Sequence, residues 1–182
     1  MQDQFVPNFT WHHPTRILYG IGKLKELPTE VGSLVEKGSP VFLVTGRTSL
    51  KARGILQKVL DGLSEYDVTV FNDVRPFPSP ENVDSAVAAC RAANAKIVVA
   101  IGGGSAMDLA KAVAILAVHE GSALEFATHE REFRRKGLPF IASPTTSGSS
   151  SEVTSGSALW DLEGKKHYGL GGPMMLPNAT SA

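Results

Sequence analysis

The apolar positions divide the chain into short runs of two kinds. Continuous runs of strand length occur at Pro40-Val41-Phe42-Leu43-Val44-Thr45, at Lys96 to Ile101 and at Pro139 to Ala142, with a shorter one from Val68 to Phe71. A run apolar on both faces is expected of a buried parallel strand. Between these runs, apolar residues recur at helical spacing. From Lys23 to Lys37 they fall at Leu24, Leu27, Val31, Leu34 and Val35, predicting a helix that becomes regular at Pro28 and stops at Gly38. Leu56, Val59, Leu60 and Leu63 predict a helix over Thr48 to Leu63. After a proline-containing loop from Asp73 to Pro80, Ser79-Pro80-Glu81 opens a helix that turns Val83, Val87 and Cys90 inward. Another helix runs from Ser105 to about Val118. The leading segment, Phe5 to Gly22, reads as an edge strand or hairpin, and the tail from Val153 to Leu176 as β-rich. Alternating strands and helices predict an α/β fold: a Rossmann-like parallel sheet with flanking helices.

Composition narrows the picture a little further. At 182 residues the chain suits one domain, and 42% hydrophobic against 20% charged residues is enough apolar material for a core. A formal net charge of zero gives no broad surface for nucleic acid or anionic membrane, so neither is expected as a partner. No apolar run approaches the length of a membrane span, the first residues lack a signal-peptide pattern, and Cys90 is the sole cysteine. A cytoplasmic location is the expectation.

The most informative junction is Ala100-Ile101-Gly102-Gly103-Gly104-Ser105. A strand ends, three glycines leave the backbone bare, and a helix begins. Free N–H groups and the positive end of a helix dipole favour phosphate there, and glycine permits close approach. The pattern is neither the G-x-G-x-x-G dinucleotide fingerprint nor a P-loop, so a plain tight turn stays open beside a phosphate site. Ser105 and Asp108 stand at capping-box spacing, which makes a helix cap the simpler role for Asp108. Lys111, almost two turns in, suits either a reach toward a ribose or an exposed ion pair.

The stretch Gly102-Gly103-Gly104-Ser105-Ala106-Met107-Asp108-Leu109-Ala110-Lys111 closely resembles the GGGSxxDxAK signature of the iron-containing (group III) alcohol dehydrogenases. Glycerol dehydrogenase and dehydroquinate synthase have a similar turn. Pro144-Thr145-Thr146-Ser147-Gly148-Ser149-Ser150-Ser151-Glu152-Val153-Thr154 resembles the PTTxGTGSEVT segment of the iron-dependent group, which argues against a lyase of the dehydroquinate synthase type. The P-x-x-I-x-x-G-x-G pattern ending at Gly22 is similar to the start of that family. The resemblance implies an N-terminal nucleotide-binding domain that is followed in the family by a helical metal domain. It implies that Gly102, Gly103, Gly104 and Ser105, with Asp108 close by, hold a pyrophosphate, and that Thr145, Thr146 and Ser149 line the coenzyme groove.

Two departures from the family pattern bear on the coenzyme. NAD-preferring members often carry an aspartate after the first strand, whereas here Gly46-Arg47-Thr48-Ser49 follows Thr45. A carboxylate would repel a 2′-phosphate, and Gly46, Arg47 and Ser49 in its place favour NADP(H), with NAD(H) also accommodated. Near the tail, where the family commonly has a lysine that reaches the coenzyme, alignment through Pro173 and Pro177 puts His167; a slip of one residue would bring in Lys166 instead.

In the family a divalent iron or zinc bound by an aspartate and three histidines polarises the alcohol oxygen. Those ligands lie beyond the segment that corresponds to this chain. His12, His13, His119, His129 and His167 include no pair spaced four apart, so neither catalytic nor metal-binding residues are expected here. The whole of residues 1–182 is read as one dinucleotide-binding domain, inactive by itself, whose uncovered cleft is compatible with a homo-oligomer. A stand-alone NAD(P)-binding regulatory module without catalysis is the alternative.

Overall fold

The computed structural model describes residues 12–181, and the Phe5–Trp11 part of the leading segment lies outside them. Six strands form one wholly parallel sheet in the order β1 (Arg16–Leu18), β8 (Ala179–Ser181), β5 (Phe140–Pro144), β4 (Ile97–Gly102), β2 (Pro40–Thr45), β3 (Asp67–Phe71). The Rossmann-like parallel sheet expected from the alternating runs is present.

Alternation along the central strands explains why their runs are apolar throughout. Val41, Leu43, Ile97, Val99, Ile101 and Ile141 face one layer, with Leu27 and Val31 of α1 (Leu27–Gly32) and Val59 of α3 (Ile55–Gly62). Phe42, Val44, Val98, Ala100, Phe140 and Ala142 face the other, against α4 (Pro80–Ala92), α5 (Gly104–Leu116) and α6 (Ala123–Ala127). Each Val, Leu, Ile or Phe side chain so buried contributes about 1.5–3 kcal/mol of transfer free energy, so both faces must be covered for the sheet to be stable. No helix among the described residues is long and apolar enough to cross a membrane.

Several local expectations need correction. Of the edge strand or hairpin expected in the leading segment, the described residues form an edge strand, β1, paired in parallel with β8. The first helix begins with a 3-10 turn (Lys23–Glu26) and ends at Gly32; Gly38, at φ 79°, belongs to a later turn whose N–H donates to Glu65 O. The helix predicted over Thr48 to Leu63 divides at Gly54, whose φ of 66° separates α2 (Ser49–Ala52) from α3. α6, with a capping box between Ser122 and Glu125, has no counterpart in the periodicity reading. The β-rich tail is an antiparallel hairpin of β6 (Gly156–Asp161) and β7 (Lys166–Gly171), standing apart from the main sheet, followed by β8.

The order in which strands are added reverses between β2 and β4. From β2 the chain adds β3 outward on one side, and from β4 it adds β5 on the other. A crevice opens at such a point beyond the carboxyl ends of the strands, and ligands of open α/β sheets bind there. The segments at this point are Gly46–Ser49 after β2 and Gly102–Ser105 after β4.

Candidate functional site

The glycine turn and the segment after β2 are neighbours in space. A Cβ at Gly102 would lie 3.8 Å from Gly46 N and 2.7 Å from Ala106 Cβ, so no side chain fits at that position without movement. α5 starts at Gly104 with Gly103 as N-cap and no side-chain cap. Ala106 and Met107 N–H donate to Gly103 O, and the N–H groups of Gly104 and Ser105 are left to an external acceptor.

The Ser/Thr loop crosses directly over this turn. Thr145 N donates to Gly102 O at 2.8 Å. A Cβ on Gly103 would lie 3.3 Å from Thr146 Oγ1, and one on Gly104 would lie 3.2 Å from Ser149 Oγ. Thr145, Thr146 and Ser149 are exposed, so the loop presents hydroxyls and bare backbone side by side on an open surface. The structure brings Gly46, Gly102, Gly103, Gly104, Ser105, Thr145, Thr146 and Ser149 together. Ser49 opens α2, its Oγ 3.9 Å from where a Gly46 Cβ would lie.

Asp108 does not cap the helix. It sits in the second turn, beyond the reach of the free N–H groups, and its Oδ1 accepts from Ser151 Oγ at 2.6 Å. Lys111 follows neither course left open for it. It is 1% exposed, and its Nζ donates to Ser151 O and Gly156 O at 2.7 Å and to Ser151 Oγ and Thr154 Oγ1 at 3.1 Å. Burial lowers its pKa to about 8 against the opposing pull of Asp108 and Glu152. Asp108, Lys111 and Ser151 together pin the loop to the helix. Met107 and Ile115, four residues to either side of Lys111 in α5, are buried as it is, and its acceptors lie forty to forty-five residues away.

A second cavity, of about 540 Å³, opens beside this staple and is lined by Asp108, Ser149, Ser151, His129 and His167 among others. His167 packs against Trp160 with ring centroids 4.5 Å apart and the ring planes inclined at 58°. Strand alternation in β7 puts Lys166 on the opposite face from His167, so it is His167 that meets the cavity. His129 was not among the expected site residues; it lies in a charged stretch with no motif, and only folding brings it here.

Arg47 is not a free guanidinium. Its Nη2 lies 2.6 Å from Asp73 Oδ1, and both side chains are about half exposed. The carboxylate missing from the segment after β2 thus comes from the segment after β3.

His13 and His119 have structural partners. His13 Nε2 is 2.8 Å from Val153 O, and buried His119 contacts Ile115 O through Nδ1 while Nε2 accepts from Arg134 N. Among the described residues no three His, Cys, Asp or Glu side chains converge to hold a metal.

Comparison with known proteins identifies the family. The chain is 35% identical over 174 residues to a probable NADH-dependent butanol dehydrogenase of Bacillus subtilis, covering 94% of this chain and 44% of the relative. It is 42% identical over 144 residues to a long-chain-alcohol dehydrogenase of Geobacillus thermodenitrificans, covering 77% of this chain and 36% of that protein. The crystal structure of an NADH-dependent butanol dehydrogenase A from Thermotoga maritima superposes with a TM-score of 0.87 at 27% identity, over 96% of this chain and 44% of that one. The chain therefore spans less than half the length of the relatives it matches. The model of the iron-containing alcohol dehydrogenases matches residues 14–180, nearly everything that the fold comprises, and the chain belongs to that family.

Proposed function

We propose that this chain is the dinucleotide-binding domain of a metal-dependent alcohol dehydrogenase that moves hydride between NADP(H) and a small alcohol or aldehyde. The observation that carries the reading is the glycine turn beneath the Ser/Thr loop. Three successive positions have no room for a Cβ, or only a tight fit for one, beside helix N–H groups that no side chain caps. That combination suits a pyrophosphate.

The residues divide the work along the coenzyme. The N–H groups at Gly104 and Ser105 face the pyrophosphate. Thr145, Thr146 and Ser149 offer short donors and acceptors to ribose and amide. Arg47, with Gly46 and Ser49, meets the adenosine end and supplies the charge that favours a 2′-phosphate. The names of relatives that specify NADH argue for a narrow margin, with NAD(H) also bound. His167 stands at the far cavity, where its ring can hydrogen-bond a ribose hydroxyl. When bound, the coenzyme supplies or accepts the hydride. The metal implied by the family finds no ligand set among the described residues.

On this reading the polypeptide binds coenzyme without turning over alcohol. Calorimetric titration with NADPH and NADH tests the first half; failure of both to bind would remove the proposal. Alcohol-dependent NADP reduction by this polypeptide, with added iron or zinc, would overturn the second half. A regulatory module without catalysis shares the binding but predicts no such turnover in a full-length protein carrying this domain.

A further inference from the structure

We infer that Asp73 is a coenzyme-specificity determinant, which acts by holding Arg47 and so narrows the preference for a 2′-phosphate; this rests on the dinucleotide reading above. The two residues come from different strands. Arg47 lies two residues beyond β2 and Asp73 two beyond β3, and these strands are parallel neighbours in register through Val44 and Phe71. Both side chains therefore project from the carboxyl edge of the sheet, next to Gly46, which in turn abuts the glycine turn. The guanidinium and carboxylate meet at 2.6 Å while remaining 56% and 54% exposed.

That exposure decides what the pair can do. An ion pair so accessible to water shifts an equilibrium by about fivefold at most, so Arg47 can exchange partners. A 2′-phosphate, with close to two negative charges and three acceptor oxygens, is a better partner than one carboxylate. It must, however, take Arg47 from Asp73 and then lie beside the displaced carboxylate. A ribose with free 2′- and 3′-hydroxyls meets the opposite situation, since Asp73 can accept from both hydroxyls while keeping Arg47. The same pair thus opposes the phosphorylated coenzyme and serves the unphosphorylated one. Glycine at 46 makes room for either, because no side chain stands between the pair and the turn.

The test uses the adenosine end alone, 2′,5′-ADP against 5′-AMP, together with NADPH and NADH, titrated calorimetrically into the wild type, Asp73→Asn, Arg47→Ala and the double variant. Asp73→Asn is expected to raise the ratio of 2′-phosphorylated to unphosphorylated affinity by about five- to tenfold. Arg47→Ala is expected to lower it, and the gain from Asp73→Asn is expected to shrink in the Arg47→Ala background. Both residues are exposed, so thermal unfolding of each variant should match the wild type. An unchanged ratio in Asp73→Asn, with all four molecules binding, overturns the inference and leaves the dinucleotide reading intact. An undiminished gain in the double variant overturns the role of the pair. Absence of binding by every probe overturns both readings together.

Discussion

The ammonium of Lys111 donates to the backbone oxygen of Ser151 at 2.7 Å, joining a buried position of α5 to the loop that crosses its start. The same nitrogen reaches Gly156 O and the hydroxyls of Ser151 and Thr154, and Asp108 one turn earlier accepts a hydrogen bond from the Ser151 hydroxyl. A buried cation surrounded by acceptors is costly to desolvate, and it is worth keeping only where every partner is engaged. The arrangement fixes the loop before any ligand arrives.

Replacing Lys111 by Met should therefore remove more than a charge. Two backbone carbonyls and two hydroxyls lose their donor in a buried setting, at a cost of about 2–3 kcal/mol. Urea denaturation should show a lower midpoint at unchanged slope, and NADPH should bind more weakly because Ser149 and Thr146 lose their support. A midpoint equal to that of the wild type would show that the loop does not depend on this nitrogen.

The same lysine sets a pH dependence whose sign is fixed. Burial lowers it to about 8 from the ordinary value of 10.5. Between those pH values the unfolded chain holds a proton here that the folded chain has shed, so unfolding free energy rises with pH. Below pH 8 the full cost of burying the charge is present. The stability of the wild type relative to Lys111→Met should grow by about 1–2 kcal/mol between pH 7.5 and 9.5. A difference that stays flat, or falls, contradicts a depressed lysine.

Gly102→Ala places a methyl 2.7 Å from Ala106 Cβ, on a turn fixed from the other side by the Thr145 hydrogen bond. Overpacking of this kind costs about 1–3 kcal/mol, and the displaced turn should weaken coenzyme binding by about tenfold. Gly148→Ala is the matched control, because its Cβ would meet nothing within 4 Å. Equal affinities for the two variants would separate the glycine turn from the coenzyme.

Cys90 faces the core from α4 and is 1% exposed, and burial pushes its thiol up to about 12. Thiolate is the reactive species, so an aromatic disulfide reagent should label the native protein only as fast as it opens. Adding urea should accelerate labelling in step with unfolding. Rapid stoichiometric labelling under native conditions would place the thiol at the surface instead.

The strands were readable because Pro40–Thr45, Lys96–Ile101 and Pro139–Ala142 are apolar on both faces, a pattern that a doubly covered sheet requires and little else does. The site was partly readable for a related reason: Gly102, Gly103 and Gly104 stand together where a strand meets a helix. What stayed hidden depends on partners distant in the chain. Lys111 looks like a surface lysine until Ser151 and Gly156 are folded onto it, and the carboxylate beside Arg47 comes from the next strand in the register. The capping role expected of Asp108 failed because α5 starts at Gly104, leaving its carboxylate too far into the helix. β8 was missed since Ala179-Thr180-Ser181 has no apolar run; it is buried by its neighbours on both sides.

That position of β8 also orders events in time. β1 pairs with β8 through Arg16 and Ala179, and β8 alone joins it to the rest of the sheet. On a ribosome the first of the described strands to emerge must therefore wait for β8 until almost every other described residue has been made. β2, β3 and β4 can assemble meanwhile, and the edge closes last, as contacts of large sequence separation do. The earliest of the described strands is thereby the latest to be secured, and the completed sheet holds the two ends of the described chain side by side.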